Sequence, residues 1–304
     1  IFLAGAPPSA VRAGAMLSVY LLGFVGRRQF DLLQCIAAAG VVILAASPYE
    51  LFDVGFQLSF LAVLSIVCLT EDFYSLLRPR ERLMDRLLGP EGGSRWRNLR
   101  RWFHSRAAIL VAVSAAAWVG VFPLSTHYFN LVSPVGVVMN LVAVPLVAAM
   151  VALGWVHLLV GWVPLLGTAS GWLVDSVGWL LTGTVGTVAH ARVGWSYCTT
   201  PATFWVVGYY AVWLVVAARR RLGISGLRAA TLWAGALALY LGWTLRPPTP
   251  DGLEMTVLDV RHGSATVLRF PDGSVMLFDC GSYGREDAGC LVAAPALWAK
   301  GVRK

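Results

Sequence analysis

Charge is scarce in this 304-residue chain: Asp, Glu, Lys and Arg together make 13%, where a water-soluble domain carries about a quarter. Lysine is nearly absent. Of 24 basic residues two are Lys300 and Lys304, which leaves 22 arginines. The cysteines at 35, 68, 198, 280 and 290 form no Cys-x-x-Cys pair and no metal-ligand spacing, which argues against a structural zinc or a dithiol redox centre. Cys280 and Cys290 alone stay open to pairing. No charged n-region precedes an apolar core at the start, and the first residue is Ile1, so no signal peptide is visible and the chain is expected to be an internal fragment of a longer protein.

What is abundant is apolar: 58% of residues are hydrophobic and the mean hydropathy is +0.69. The apolar residues fall into eight blocks, Ala10–Val25, Leu32–Ser47, Val54–Leu69, Ala107–Phe122, Pro134–Val163, Trp172–Ala189, Ala202–Ala218 and Ala229–Leu245. Most are close to the length that crosses ~30 Å of hydrocarbon. The expected fold is therefore an all-α polytopic membrane bundle of about eight spans occupying residues 1–246. Between the third and fourth blocks lies a polar loop, Glu71–Arg106, with nine arginines against five acids. Arginine-rich connections stay cytoplasmic, and placing Arg27, Arg28, the 71–106 loop, Arg219, Arg220, Arg221 and Arg228 inside is satisfied by eight single crossings. Both chain ends then lie outside the cytoplasm. The fifth block would make a helix of about 45 Å, longer than the hydrocarbon core, and Pro145 is expected to kink or break it.

After a proline-rich linker, residues 247–252, the composition changes. Glu254–Val260, Ser264–Phe270 and Ser274–Cys280 are β-rich runs, with Pro271-Asp272-Gly273 as a tight turn between the second and third. A helix is expected over Leu291–Lys300. Residues 253–304 thus begin a water-soluble domain.

Polar residues inside the apolar blocks are the candidates for function. Arg12 is either an interfacial anchor or an inward-facing contact for phosphate. Asp53 and Gln57, four apart, would share one helical face with Ser59 nearby, as helix–helix hydrogen bonds or as the lining of a path. Asn140 and Pro145 suit either a packed kink or the discontinuous helix of a transport site. His157 and Asp175 read as packed or paired. His104, His127, His190 and His262 have no companion at metal-ligand spacing, and the tryptophans near block ends, such as Trp102, Trp195 and Trp243, fit an interfacial aromatic belt.

The run Ser47-Pro48-Tyr49-Glu50-Leu51-Phe52-Asp53-Val54-Gly55-Phe56-Gln57-Leu58-Ser59-Phe60 resembles the signature of the ComEC family of competence proteins. Ser9-Ala10-Val11-Arg12-Ala13 with Met16, and Asn140-Leu141-Val142-Ala143-Val144-Pro145-Leu146, resemble two further segments of that family in the same order. The tail is similar to the opening of the attached metallo-β-lactamase-like domain: Val257-Leu258-Asp259-Val260-Arg261-His262-Gly263, then Pro271-Asp272-Gly273 and Phe278-Asp279-Cys280-Gly281. It departs at Arg261-His262-Gly263-Ser264, where the family has Gly-Gln-Gly-Asp, and no His-x-His-x-Asp-His run occurs before Lys304.

The resemblance implies a multi-pass cell-membrane channel for single-stranded DNA in natural transformation. The partners it implies are the lipid bilayer, the DNA strand, other competence proteins and, in a homo-oligomer, further copies of the chain. It also implies the truncated start of an αββα metallo-β-lactamase-like nuclease domain on the extracytoplasmic side, with Asp259, Asp279 and Gly281 in its opening motif and a divalent metal, zinc or manganese, held by the full-length domain. No catalytic or metal-ligating residue is assigned within these 304 positions. Two other readings stay open, a membrane-anchored metallohydrolase with a non-DNA substrate and a small-solute permease.

Overall fold

The computed structural model describes residues 5, 7–25, 31–77, 95–191, 194–219, 222–244, 250–260, 262–282 and 289–302. The expected cytoplasmic residues Arg27, Arg28, Arg220 and Arg221, residues 78–94 of the arginine-rich loop, residues 247–249 of the linker, and Arg261 lie outside them.

Among the described residues, eight helices coincide with the eight apolar blocks: α1 Pro8–Val25, α2 Leu32–Ala46, α3 Val54–Leu77, α4 Arg95–Phe129, α5 Val135–Val160, α6 Pro164–Ala191, α7 Thr203–Ala217 and α8 Gly226–Thr244. Four of them, α1, α3, the part of α4 from Leu99, and α5, are long and apolar enough to cross a membrane. α2 and α7 are equally apolar but shorter. Proline sets several boundaries, since its fixed φ suits a first helical turn. Pro8 opens α1, Pro164 opens α6, and Pro48 opens a 3-10 turn, Pro48–Phe52, between α2 and α3.

The helices overrun the expected loop. α3 continues through Glu71 and Asp72 to Leu77, and α4 already begins at Arg95. Glu, Leu and Arg are good helix formers in water as well as in lipid; hydropathy marks where lipid ends, not where the helix does. Tyr74 and Ser105 hydroxyls meet at 3.1 Å across these extensions. The fifth block is also shorter than expected. α5 runs unbroken through Pro145 and stops at Val160, a length of about 39 Å, and a three-residue turn leads directly into α6.

The chain forms two compact units. The first, Ile1–Gly120 with Ser133–Trp195, holds α1 to α3, most of α4, and the α5–α6 hairpin. On α4, Ala108, Ala112, Ala116 and Gly120 repeat every four residues and are buried. Gly120 touches α3 so closely that an added Cβ would fall 1.8 Å from Ser65 Oγ. Across the hairpin His157 Nδ1 meets Ser170 Oγ at 2.9 Å, while Asp175 on α6 is exposed.

The second unit, Val121–Val132 with Ser196–Lys304, holds the end of α4, α7, α8 and the tail. Tyr209, Tyr240 and Phe122 pack edge-on or tilted, with centroids 5.3 to 6.3 Å apart. The carbonyl of Pro123 accepts hydrogen bonds from Thr126 and Tyr240. Strands β1, Leu131–Val132, and β2, Ser196–Tyr197, pair antiparallel.

The tail forms an antiparallel meander of β3 Glu254–Val257, β4 Gly263–Arg269 and β5 Val275–Ser282. Its β4–β5 turn is the expected one: Gly273 adopts φ 85 and Asp272 Oδ1 accepts the Ser274 N–H at 2.8 Å. A break in register between Ser264 and Thr266 turns Ala265 fully inward beside Val260. A π-helical turn, Gly289–Ala293, leads to α9, Ala294–Ala299. Cys280 is a free thiol, so it forms no disulfide with Cys290.

Candidate functional site at the head of the third helix

Residues 47–53 form the tight connection between α2 and α3. The Ser47 N–H closes α2 on Ile43 O, the 3-10 turn follows, and Asp53 takes an extended backbone, φ −72 and ψ 125. That conformation is typical of a helix N-cap. Asp53 Oδ1 accepts the Phe56 N–H at 2.8 Å, satisfying one of the donors left unpaired at a helix start. Asp53 therefore stands just outside α3 as its cap, whereas Gln57 lies in the first turn.

The same carboxylate oxygen takes Arg12 Nη1 at 3.0 Å, and Glu50 Oε2 lies 3.3 Å from that nitrogen. The Arg12 side chain is only 8% exposed, the two acids 30% and 51%, so a buried cation from α1 is neutralised by two half-exposed anions of the turn. Arg12 Nε is buried without a hydrogen-bond partner among the described residues. The guanidinium lies across the first turn of α3 because residue 55 has no side chain: a Cβ there would come within 2.7 Å of Arg12 Nη2 and 3.0 Å of Asp53 Oδ1. The Asp53 carboxyl is held below its ordinary value, first by the Phe56 N–H and then by Arg12, against some opposing desolvation.

Gln57 Nε2 donates to the Leu51 carbonyl at 3.0 Å and Ser59 Oγ to that of Phe56 at 3.0 Å. Both side chains thus fasten the turn and the helix start. Asn140 on α5 donates to Ser114 Oγ on α4 at 3.1 Å, a helix–helix hydrogen bond, and Pro145 follows five residues later in the same unbroken helix. The structure gathers Arg12, Asp53, Gln57 and Ser59 at one helix head. Glu50 and Gly55, which complete that cluster, were legible only as members of the 47–60 run.

A family described as Competence protein matches residues 1–223. The chain belongs to the competence protein family. All six candidate positions from Arg12 to Pro145 lie inside that match, and residues 224–304 lie beyond it. Over 145 residues the chain is 28% identical to ComE operon protein 3 of Bacillus subtilis (strain 168), a stretch that covers 48% of this chain and 15% of that protein. The chain therefore matches a small part of its curated relative's length. No solved structure matches.

In the tail, Asp279 takes a positive φ of 56, a conformation that Asp tolerates better than most residues. Its Oδ1 accepts the N–H groups of Cys280 and Gly281 at 2.7 and 3.0 Å, and the Ser264 hydroxyl donates to Oδ2. These bonds, that of Ser264 first, hold its carboxyl below the ordinary value. Asp279 and Gly281 of the expected motif thus form one turn with Ser264, while Asp259 is exposed past the end of β3. Among the described residues no three His, Cys, Asp or Glu side chains gather in a group able to hold a metal.

Proposed function

We propose that this chain is part of a cell-membrane channel that takes up single-stranded DNA in natural transformation. Membership of the competence protein family, matched over residues 1–223, carries the reading. In this reading α1 to α8 each cross the bilayer once, with residues 26–30, 78–94 and 218–225 inside and the tail outside. The pairing of β1 with β2 supports it, because it joins two connections that this topology puts on the same outer side. The 47–53 turn and the start of α1 lie on that side too.

Arg12, Asp53, Gln57, Ser59, Asn140 and Pro145 border the path. Arg12 serves it chiefly as a positioner: its charge is taken up by Glu50 and Asp53, so it locks α1 to the turn and fixes the head of α3. Asp53, half exposed, and Gln57 are the members that face an entering strand. The protein works with other competence proteins and as a homo-oligomer. The tail is the beginning of a metallo-β-lactamase-like hydrolase, whose divalent metal, zinc or manganese, requires ligands other than the described residues.

Uptake of labelled DNA tests the reading, with Asp53→Asn, Gln57→Ala and Asn140→Ala compared after membrane insertion is verified. Asp53→Asn is expected to lower uptake about tenfold or more, the range for a lost charge-assisted hydrogen bond, and Gln57→Ala about threefold or more, the range for a neutral one, with insertion unchanged. Normal DNA uptake in all three variants would overturn it. Saturable uptake of a small solute without DNA would favour a permease.

A further inference from the structure

In the second unit, residues 196–201 run from β2 to the start of α7 and are gripped from two sides by helix ends. Asn130, just past α4 with φ 55, donates Nδ2–H to the Cys198 carbonyl at 3.1 Å and to Thr200 Oγ1 at 2.8 Å. Cys198 N–H returns to the Asn130 carbonyl at 2.8 Å. The Thr199 N–H and hydroxyl both donate to the carbonyl of Thr244, the last residue of α8, at 3.2 and 2.8 Å. Cys198, Thr199 and Pro201 are buried. Such bonding fixes a strap that has no regular structure of its own beyond β2.

The third side of the strap is covered by the end of the chain. Tyr197 and Trp298 stack face to face, with centroids 3.8 Å apart and planes within 9°. The Thr200 N–H donates to the Ala299 carbonyl at 3.4 Å. The next residue, Lys300, bonds Glu254 on β3, whose other carboxylate oxygen takes Arg269 Nη1 from β4 at 2.9 Å. An unbroken series of contacts therefore leads from the helix ends through the strap and α9 into the sheet.

We propose that α9 is a docking element that seats the soluble domain on the 196–201 strap, with Tyr197 and Trp298 as its positioning residues. The connection between Thr244 and Glu254 would by itself let the sheet range over about 33 Å of extended chain. Two stacked rings with a main-chain bond beside them remove that freedom, because stacking fixes both the distance and the tilt of α9. The seat lies against the ends of α4 and α8. Under the uptake reading, on which only this consequence rests, the hydrolytic domain is held on the outer side, against the ends of α4 and α8.

The test uses the full chain in membranes with a protease site inserted in the linker, and Thr200→Cys with Ala299→Cys as a cross-linking pair. After mild oxidation and cleavage, the two fragments are expected to stay joined until a reductant is added, and to separate in either single-cysteine control, which accounts for Cys198. In the paired background Trp298→Ala is expected to slow cross-linking about fivefold, and Trp298→Phe, which keeps a stacking ring, to stay within about twofold. Fragments that separate after oxidation, or a cross-linking rate indifferent to Trp298→Ala, would overturn the docking. Neither readout involves DNA, so failure of the uptake reading leaves it intact.

Discussion

Gly55 is the residue on which the helix-head cluster turns. With no side chain at 55, the Arg12 guanidinium lies over the first turn of α3 and reaches both acids. Gly55→Ala forces either the guanidinium or the backbone to move. Overpacking of this kind costs about 1–3 kcal/mol, so the variant is expected to lose folded protein at a lower temperature in a detergent thermal ramp. Arg12→Leu in the same background should recover part of the loss. The cluster was only partly legible in the sequence. Arg12, Asp53, Gln57 and Ser59 stood out as polar residues in apolar blocks, but a pairing across 41 positions leaves no periodic trace, and the role of Glu50 as second anion depends on a 3-10 turn. Asp53 and Gln57 looked like one helical face; the extended backbone at 53 makes Asp53 a cap instead.

The tail carboxylates act in the same way at their own sites. Asp279 is held low by Ser264 and two N–H groups, and Glu254 by Lys300 first and then Arg269. A carboxylate with a depressed folded pKa stabilises above its unfolded value and loses that contribution as pH falls through the folded one. Thermal unfolding of the sheet is therefore expected to be insensitive to pH from neutrality down to about 4.5 and to weaken below the ordinary values of 3.8 and 4.5.

At the scale of elements, the eight apolar blocks located eight helices among the described residues, because an unbroken apolar run with all backbone groups bonded internally is a helix, as a membrane span would require. Their ends were less legible. The overrun of α3 and α4 into the 71–106 segment follows from helix propensity, which hydropathy does not report, and α5 absorbs Pro145 without a break. The β4–β5 turn was fully legible, since Pro-Asp-Gly names its own geometry. Close approach of α3 and α4 is the element-level feature most exposed to test. Gly120→Ala would drive a methyl group into Ser65 and is expected to cost about 1–3 kcal/mol, with Ser65→Gly restoring only part of it, because the Leu61 carbonyl stays 3.0 Å from the new methyl. Midpoints of detergent unfolding for the two single variants and the double variant measure that coupling.

For the whole molecule, the four helices suited to crossing a membrane among the described residues and a three-stranded sheet in the tail set the frame. Family membership supplies the context of competence. In the proposed reading the sidedness of the chain joins the two, because a channel mouth and a docked soluble domain would act on one strand only if they faced the same compartment. Arginine bias predicts it, and the β1–β2 pairing requires only that the α4–α5 and α6–α7 connections share a side. The most direct test is compartment-specific labelling of single tags in intact cells and inverted vesicles, one placed near Arg80 and one after Asp251. The account predicts that the first is reached only from the cytoplasmic side and the second only from outside. Labelling of both from the same side would contradict it.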